Sequence, residues 1–185
     1  MSAAASILDR SRRAPRTDHH LDASPGLYAL FLRSGAKLPD LEVPEEALLY
    51  IGKADGAGGL RARCHFNGGT RNHSPRKSFA AILRNHLSLV PIPVLNKRVG
   101  AYKTWQLELT SERKLDAWMH KNLMLSIYVS AEPRALEAQL IRENAPPLNL
   151  KECVQGEQQR HVYRLRSDIE AAMRARVGSV LGDPR

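Results

Sequence analysis

The 185 residues are 43% hydrophobic, ordinary for a globular protein, and suffice for one well-cored domain with tails. Two cysteines, Cys64 and Cys153, exclude a disulfide framework; no apolar run approaches the roughly 20 residues of a bilayer-crossing helix, and the N-terminus lacks a signal-peptide core. The net charge of +9 lies entirely between Ile51 and Lys114, which hold twelve Lys/Arg against three Asp/Glu, so a polyanionic partner is expected, nucleic acid or an anionic membrane surface.

In chain order, residues 1–22 are polar and basic, with Arg10, Arg12, Arg13 and Arg16 around Pro15, and read as a mobile N-terminal arm. Ser24-Pro25-Gly26 is a turn signal, and Leu27 to Leu32 an apolar strand. A polar connection with Gly35, Pro39 and Pro44 returns the chain to Leu48-Leu49-Tyr50-Ile51-Gly52-Lys53, most simply an antiparallel partner. Tyr28 and Tyr50 thereby fall on neighbouring strands. The glycine-rich turn Asp55 to Gly59 leads into a short basic helix. Arg61 and His65, four apart, share a face of that helix. Cys64 between them is either a nucleophile or a small half-buried helix residue, and the second suits the position better.

Residues 67–77 form a donor-rich loop. Ser78 to Leu87 is an amphipathic helix, Pro91 to Gly100 is irregular, and Tyr102 to Leu109 is a strand carrying Trp105. Thr110 or Ser111 caps a helix to Asn122. Leu123 to Val129 is the third convincing strand. Glu132-Pro133 opens a helix that ends at Asn144, stopped by Pro146-Pro147-Leu148-Asn149. Glu157 to Val177 is a charged helix with Val162, Leu165, Ile169 and Met173 on one side; it packs on the domain or on a second subunit, which would make a homodimer.

Five fragments in this order resemble the GIY-YIG nucleases. Gly26-Leu27-Tyr28 and Tyr50-Ile51-Gly52 stand as the two signature tripeptides, with leucine for the usual isoleucine in the first. Arg61 and His65 match the family's helix motif, Glu137 its late helix glutamate and Asn149 its closing asparagine. The resemblance covers about residues 24 to 150. The connection between the tripeptides is longer than the family's tight hairpin, and residues 67–122 form an insertion. The fold implied is α/β of the α+β type: a small, mainly antiparallel three-stranded sheet flanked by helices, with a helical insertion and a C-terminal helix. The domain would span residues 23–150, with a C-terminal extension over 151–185.

The resemblance implies phosphodiester hydrolysis by direct water attack, with one divalent cation (Mg²⁺ or Mn²⁺) held by Glu137. A single carboxylate with waters and phosphate oxygens suits Mg²⁺. Arg61 would hold the scissile phosphate through its forked donors. Tyr28 is favoured to orient or deprotonate the water and Tyr50 to partner it, although residue types alone do not separate them. A free phenol titrates near ~10, so such a base needs its pKa lowered. His65 would accept a proton or orient a tyrosine, Lys53 and Gly52 would support the site, and Asn149 would brace it through backbone hydrogen bonds. Arg63, Arg71, Arg76, Lys77, Arg84, Lys97, Arg98 and Lys103 form the expected DNA-backbone surface, with Ser78 as a further phosphate contact.

The expected function is therefore a cytoplasmic, metal-dependent endonuclease acting on double-stranded DNA in restriction, phage defence or DNA processing, without membrane association. Two alternatives stand beside it: a catalytically silent DNA-binding module on the same fold, and an oligomeric scaffold built on the C-terminal helix.

Overall fold

The computed structural model describes residues 7–16, 19–64, 69–150 and 156–181. The apolar runs form strands β1 (Gly26–Leu32) and β2 (Leu48–Ala54), followed by the one-turn helix α1 (Gly59–Arg63). Helix α2 (Ser74–Leu83), strands β3 (Pro91–Leu95) and β4 (Tyr102–Leu107) and helix α3 (Leu109–Asn122) make up the insertion. Strand β5 (Leu123–Val129), helix α4 (Pro133–Asn144) and the long helix α5 (Glu157–Leu181) complete the chain. The main sheet has the order β2-β1-β5, antiparallel throughout. Its central strand β1 is buried along its whole length, which is why Leu27 to Leu32 is continuously apolar.

Two apolar clusters lie on opposite faces of β1. Leu30 and Leu32 join Leu49, Phe79, Trp105 and Leu115 on one side. Leu27, Ala29 and Phe31 meet Ile51, Leu140 and Ile141 of α4 on the other. The period of two along β1 thus serves two layers, the insertion with α5 and the helix α4.

The register puts Tyr28 opposite Gly52 and Leu30 opposite Tyr50. Both phenol rings therefore lie on one face and lean over Gly52. A Cβ at Gly52 would come within 2.6 Å of both rings, so only glycine allows the two tyrosines to close over the strand.

The outer edge of β2 is finished by the residues that follow α4. Leu148 N–H donates to the Leu49 carbonyl at 3.0 Å. Asn149 accepts from Ile51 N–H at 2.9 Å and donates to the Ile51 carbonyl at 2.7 Å, so its side-chain amide completes the edge as a neighbouring strand would. At the opposite edge, Ala14 and Leu125 exchange both backbone hydrogen bonds.

Several expectations are corrected. Residues 7–16 are not a free arm: Ile7 is fully buried in the α4 cluster and Arg13 stacks over Phe31 at 3.8 Å. The segment from Pro91 is not irregular, because Pro91–Leu95 pairs with β4 as a second, two-stranded sheet. Helix α2 begins at Ser74, four residues early, with Pro75 in its first turn. The apolar stripe of α5, Val162, Ile169 and Met173, packs on the domain, the first of the two placements expected for it, in the same cluster as α2 and β4 residues.

Candidate active site

The strand ends, α1, the start of α2 and helix α4 enclose a cleft of about 290 Å³. Tyr28, Tyr50, Lys53, Glu137 and Asn149 all line it, so residues distant in sequence meet in one place. Glu137 is 8% exposed, and both its oxygens are engaged by one residue. Oε1 accepts the Lys53 backbone N–H at 3.0 Å and Oε2 the Lys53 ammonium at 2.7 Å. At the rim, Asp55 pairs with Arg134 at 2.7 Å, which holds its carboxyl below the ordinary range.

The phenols lie 5.9 Å apart between ring centroids. Burial drives Tyr28 well above the usual phenol range and pushes Tyr50 up to about 12, with the Glu137 charge adding to the second. The contact between the two hydroxyls raises Tyr28 and lowers Tyr50. The Arg63 charge favours the phenolate at both, and Arg166 of α5 favours it at Tyr50. Tyr50 is therefore the more acidic member of the pair.

The structure redistributes the expected cationic groups. Arg61 does not line the cleft. Its backbone N–H donates to the Asp22 carbonyl at 2.8 Å and its Nε to the Leu21 carbonyl at 3.2 Å, tying it to the segment before β1. Arg63, two residues on and about 200° around the helix axis, lines the cleft instead. This phase is set by Gly58 and Gly59, whose φ angles of 84° and 46° start the helix. His65 and Cys153 lie outside the described residues. The Cys64 thiol is buried and pushed up to about 12, which removes it as a nucleophile at neutral pH.

His73 joins the site, from the loop where only cations had been weighed. It lines the cleft, its Nε2 lies 3.2 Å from the Arg63 carbonyl, and burial holds its pKa below the ordinary imidazole value. A carbonyl only accepts, so Nε2 carries the proton and Nδ1 the lone pair. Nδ1 is buried without a hydrogen-bond partner among the described residues.

Of the expected DNA-facing residues, Arg84, Lys97, Arg98 and Lys103 are exposed, and Arg71 and Lys77 are half-buried. Arg76 is the correction. It is completely buried, with its guanidinium between Glu112 (2.6 Å) and Asp116 of α3. Glu112 also accepts from Thr70 N–H at 2.7 Å and Thr70 Oγ1 at 2.8 Å, so the cluster fastens α2 and the preceding turn to α3. Ser78 is fully buried as well.

A family model described as the GIY-YIG catalytic domain matches residues 26–169. The chain belongs to this family. The match runs past Asn149 into the first half of α5. A GIY-YIG catalytic domain is a nuclease domain, and such nucleases are generally dependent on a divalent metal. Comparison with curated proteins and with solved structures found no match.

The cleft of this GIY-YIG domain fits such an ion. Glu137 already holds a cation, the Lys53 ammonium, against Oε2. No group of three or more His, Cys, Asp or Glu gathers to hold a metal among the described residues, so an ion held at Glu137 would draw its other ligands from water and substrate, the habit of Mg²⁺. Among the described residues no helix is long and apolar enough to cross a membrane.

Proposed function

We propose that this GIY-YIG chain is a metal-dependent endonuclease of double-stranded DNA, cutting phosphodiester bonds by direct attack of water. The observation that carries this reading is the meeting of Glu137, both phenols, Arg63 and His73 at one cleft of a strongly basic chain. Glu137 would hold one Mg²⁺ or Mn²⁺ ion. Bound there, the ion supplies charge to the phosphoryl oxygens and makes coordinated water more acidic.

The protein's own groups divide the remaining work. Arg63 presents a forked cation to the scissile phosphate. Tyr50 orients the attacking water and is the better of the two phenols for sharing its proton, because burial raises Tyr28 further and the Tyr28 hydroxyl lowers Tyr50. This reverses the roles favoured from sequence. His73, kept neutral by burial, offers its Nδ1 lone pair to accept a hydrogen bond in the cleft. Asn149 and Gly52 position β2 and the rings without touching substrate. Arg61 anchors α1 and acts through Arg63. The exposed Arg84, Lys97, Arg98 and Lys103, with the half-buried Arg71, lend the backbone affinity that carries no sequence information.

The test is plasmid nicking with Mg²⁺ or Mn²⁺. Wild type should cut only with metal, Glu137→Gln and Arg63→Ala should lose the activity, and Arg61→Ala should keep most of it. Tight, salt-sensitive DNA binding without cutting in wild type would identify a silent binding module instead.

A further inference from the structure

The turn of α5 beside the cleft carries a cation that nothing above employs as a ligand. Arg166 follows Val162 by four residues and precedes Ile169 by three, so it sits on the buried stripe of the helix, where an apolar residue is the rule. Its guanidinium donates through NH1 to two hydroxyls, Ser74 Oγ at 3.3 Å and Ser78 Oγ at 3.4 Å. Among the described residues it forms no ion pair. A second cation, Lys77, is half-buried in the same groove, with its ammonium on Thr104 Oγ1 at 2.6 Å and 5.0 Å from the Trp105 ring centroid. It too has no carboxylate partner among the described residues. The acid of this groove, Glu170, is turned to Arg174 at 3.3 Å.

Burial lowers the pKa of both cations, and the charge of Arg166 lowers that of Lys77 further. The Glu170 charge favours the charged form of both and is also paired with Arg174, so three cations share one acid in this groove, and an anion would complete the arrangement. The groove also shares Ser74 and Leu150 with the catalytic cleft, so the two are continuous.

We infer that Arg166, Lys77 and Ser74 form a second phosphate site, which holds a backbone phosphate flanking the one cut in the cleft. The inference rests on the nuclease reading for the identity of the polyanion. It gives the C-terminal helix a part in gripping the substrate strand, and α2, through Ser74 and Lys77, a place on both sides of that grip. One phosphate recognised by two cations raises affinity without regard to base sequence.

The salt dependence of duplex-DNA binding, measured by fluorescence anisotropy with Ca²⁺ to suppress cutting, tests it in wild type, Arg166→Met, Arg166→Lys and Lys77→Met. Losing one phosphate contact should reduce the slope of log K against log salt by about 0.9 and weaken binding roughly tenfold at low salt. Arg166→Lys should restore the slope. Thermal melts of each variant separate a lost contact from a lost fold, because an unfolded fraction lowers amplitude and leaves the slope. An unchanged slope in Arg166→Met and Lys77→Met overturns the site even if wild type cuts DNA. A reduced slope upholds it even if wild type does not cut, in which case only the hydrolytic reading fails. Wild type that binds no DNA overturns it too. Stabilisation of wild type, but not Arg166→Met, by inorganic phosphate together with unchanged DNA slopes would reassign the groove to a free small anion and overturn the backbone proposal.

Discussion

Glu137 holds both nitrogens of Lys53, the backbone N–H at 3.0 Å on one carboxylate oxygen and the ammonium at 2.7 Å on the other. The first bond fixes the carboxylate to the end of β2. The second is an ion pair between a buried acid and a lysine that is 29% exposed along its side chain, and a divalent ion must compete with it. Lys53→Met should therefore tighten Mn²⁺ binding by up to about fivefold, the equivalent of the ~1 kcal/mol of a part-exposed pair. Isothermal titration with Mn²⁺ reads this without reference to cutting, and unchanged affinity would show that the ammonium does not stand in the metal's way.

The phenol pair predicts a shift in pH dependence. The Tyr28 hydroxyl lowers Tyr50, so its removal raises Tyr50. Where cutting increases with pH, Tyr28→Phe should move the rising limb to higher pH, while Tyr50→Phe should abolish the limb together with most of the rate. The opposite assignment, a lost limb in Tyr28→Phe and a shifted one in Tyr50→Phe, would return Tyr28 to the role of base.

Protonating His73 charges a desolvated ring, and its pKa in the fold is depressed below its value in the unfolded chain. The unfolded chain therefore binds the proton more readily. The stability contributed by the neutral ring is complete above the unfolded value near ~6.5 and is lost as pH falls through the lower folded value. Thermal melts from pH 7.5 downward should show Tm falling more steeply in wild type than in His73→Asn.

Arg76 offers the sharpest contrast with its expected place on the DNA-backbone surface. Replacing it with methionine leaves Glu112 and Asp116 without their common cation and should cost about 3 kcal/mol of stability. The folded fraction should bind DNA with an unchanged salt slope. A loss of slope in Arg76→Met without a loss of Tm would place that guanidinium back on the nucleic acid.

Gly52→Ala puts a methyl group within 2.6 Å of both phenol rings, which are held by burial on the other side. Overpacking of this kind costs about 1–3 kcal/mol. Cutting should fall much further than stability does, because the displaced groups are the reacting ones. Nicking rate and chemical denaturation on the same preparation make the comparison.

The strands and motifs were legible in sequence wherever local pattern and local structure agree. Leu27 to Leu32, Tyr50 to Gly52 and Leu123 to Val129 are short apolar runs bounded by turn residues, and each is a strand of the main sheet. The β3 strand was hidden by Pro91 and Pro93. Val90 and Asn96 make the backbone bonds toward the partner strand and its turn, so prolines at the alternate positions need no N–H. Arg63 could not be told from Arg61 because a five-residue helix has no periodicity to read. Arg76 needed the true start of α2, since from Ser74 it shares a face with Phe79 and Ala80. Nothing local in the sequence sets Arg166 apart from the other charges of its helix, because charge ordinarily marks the solvent face.

The way the main sheet ends on each side has a consequence for the protein in concentrated solution. A three-stranded ribbon has two rows of peptide groups able to recruit a stranger's backbone. Here the Asn149 carboxamide sits across one row and the turn around Ala14 across the other. Each flank is thus interrupted partway along its length, so in so small a sheet one asparagine and a few residues ahead of the first strand stand in the way of fibre growth.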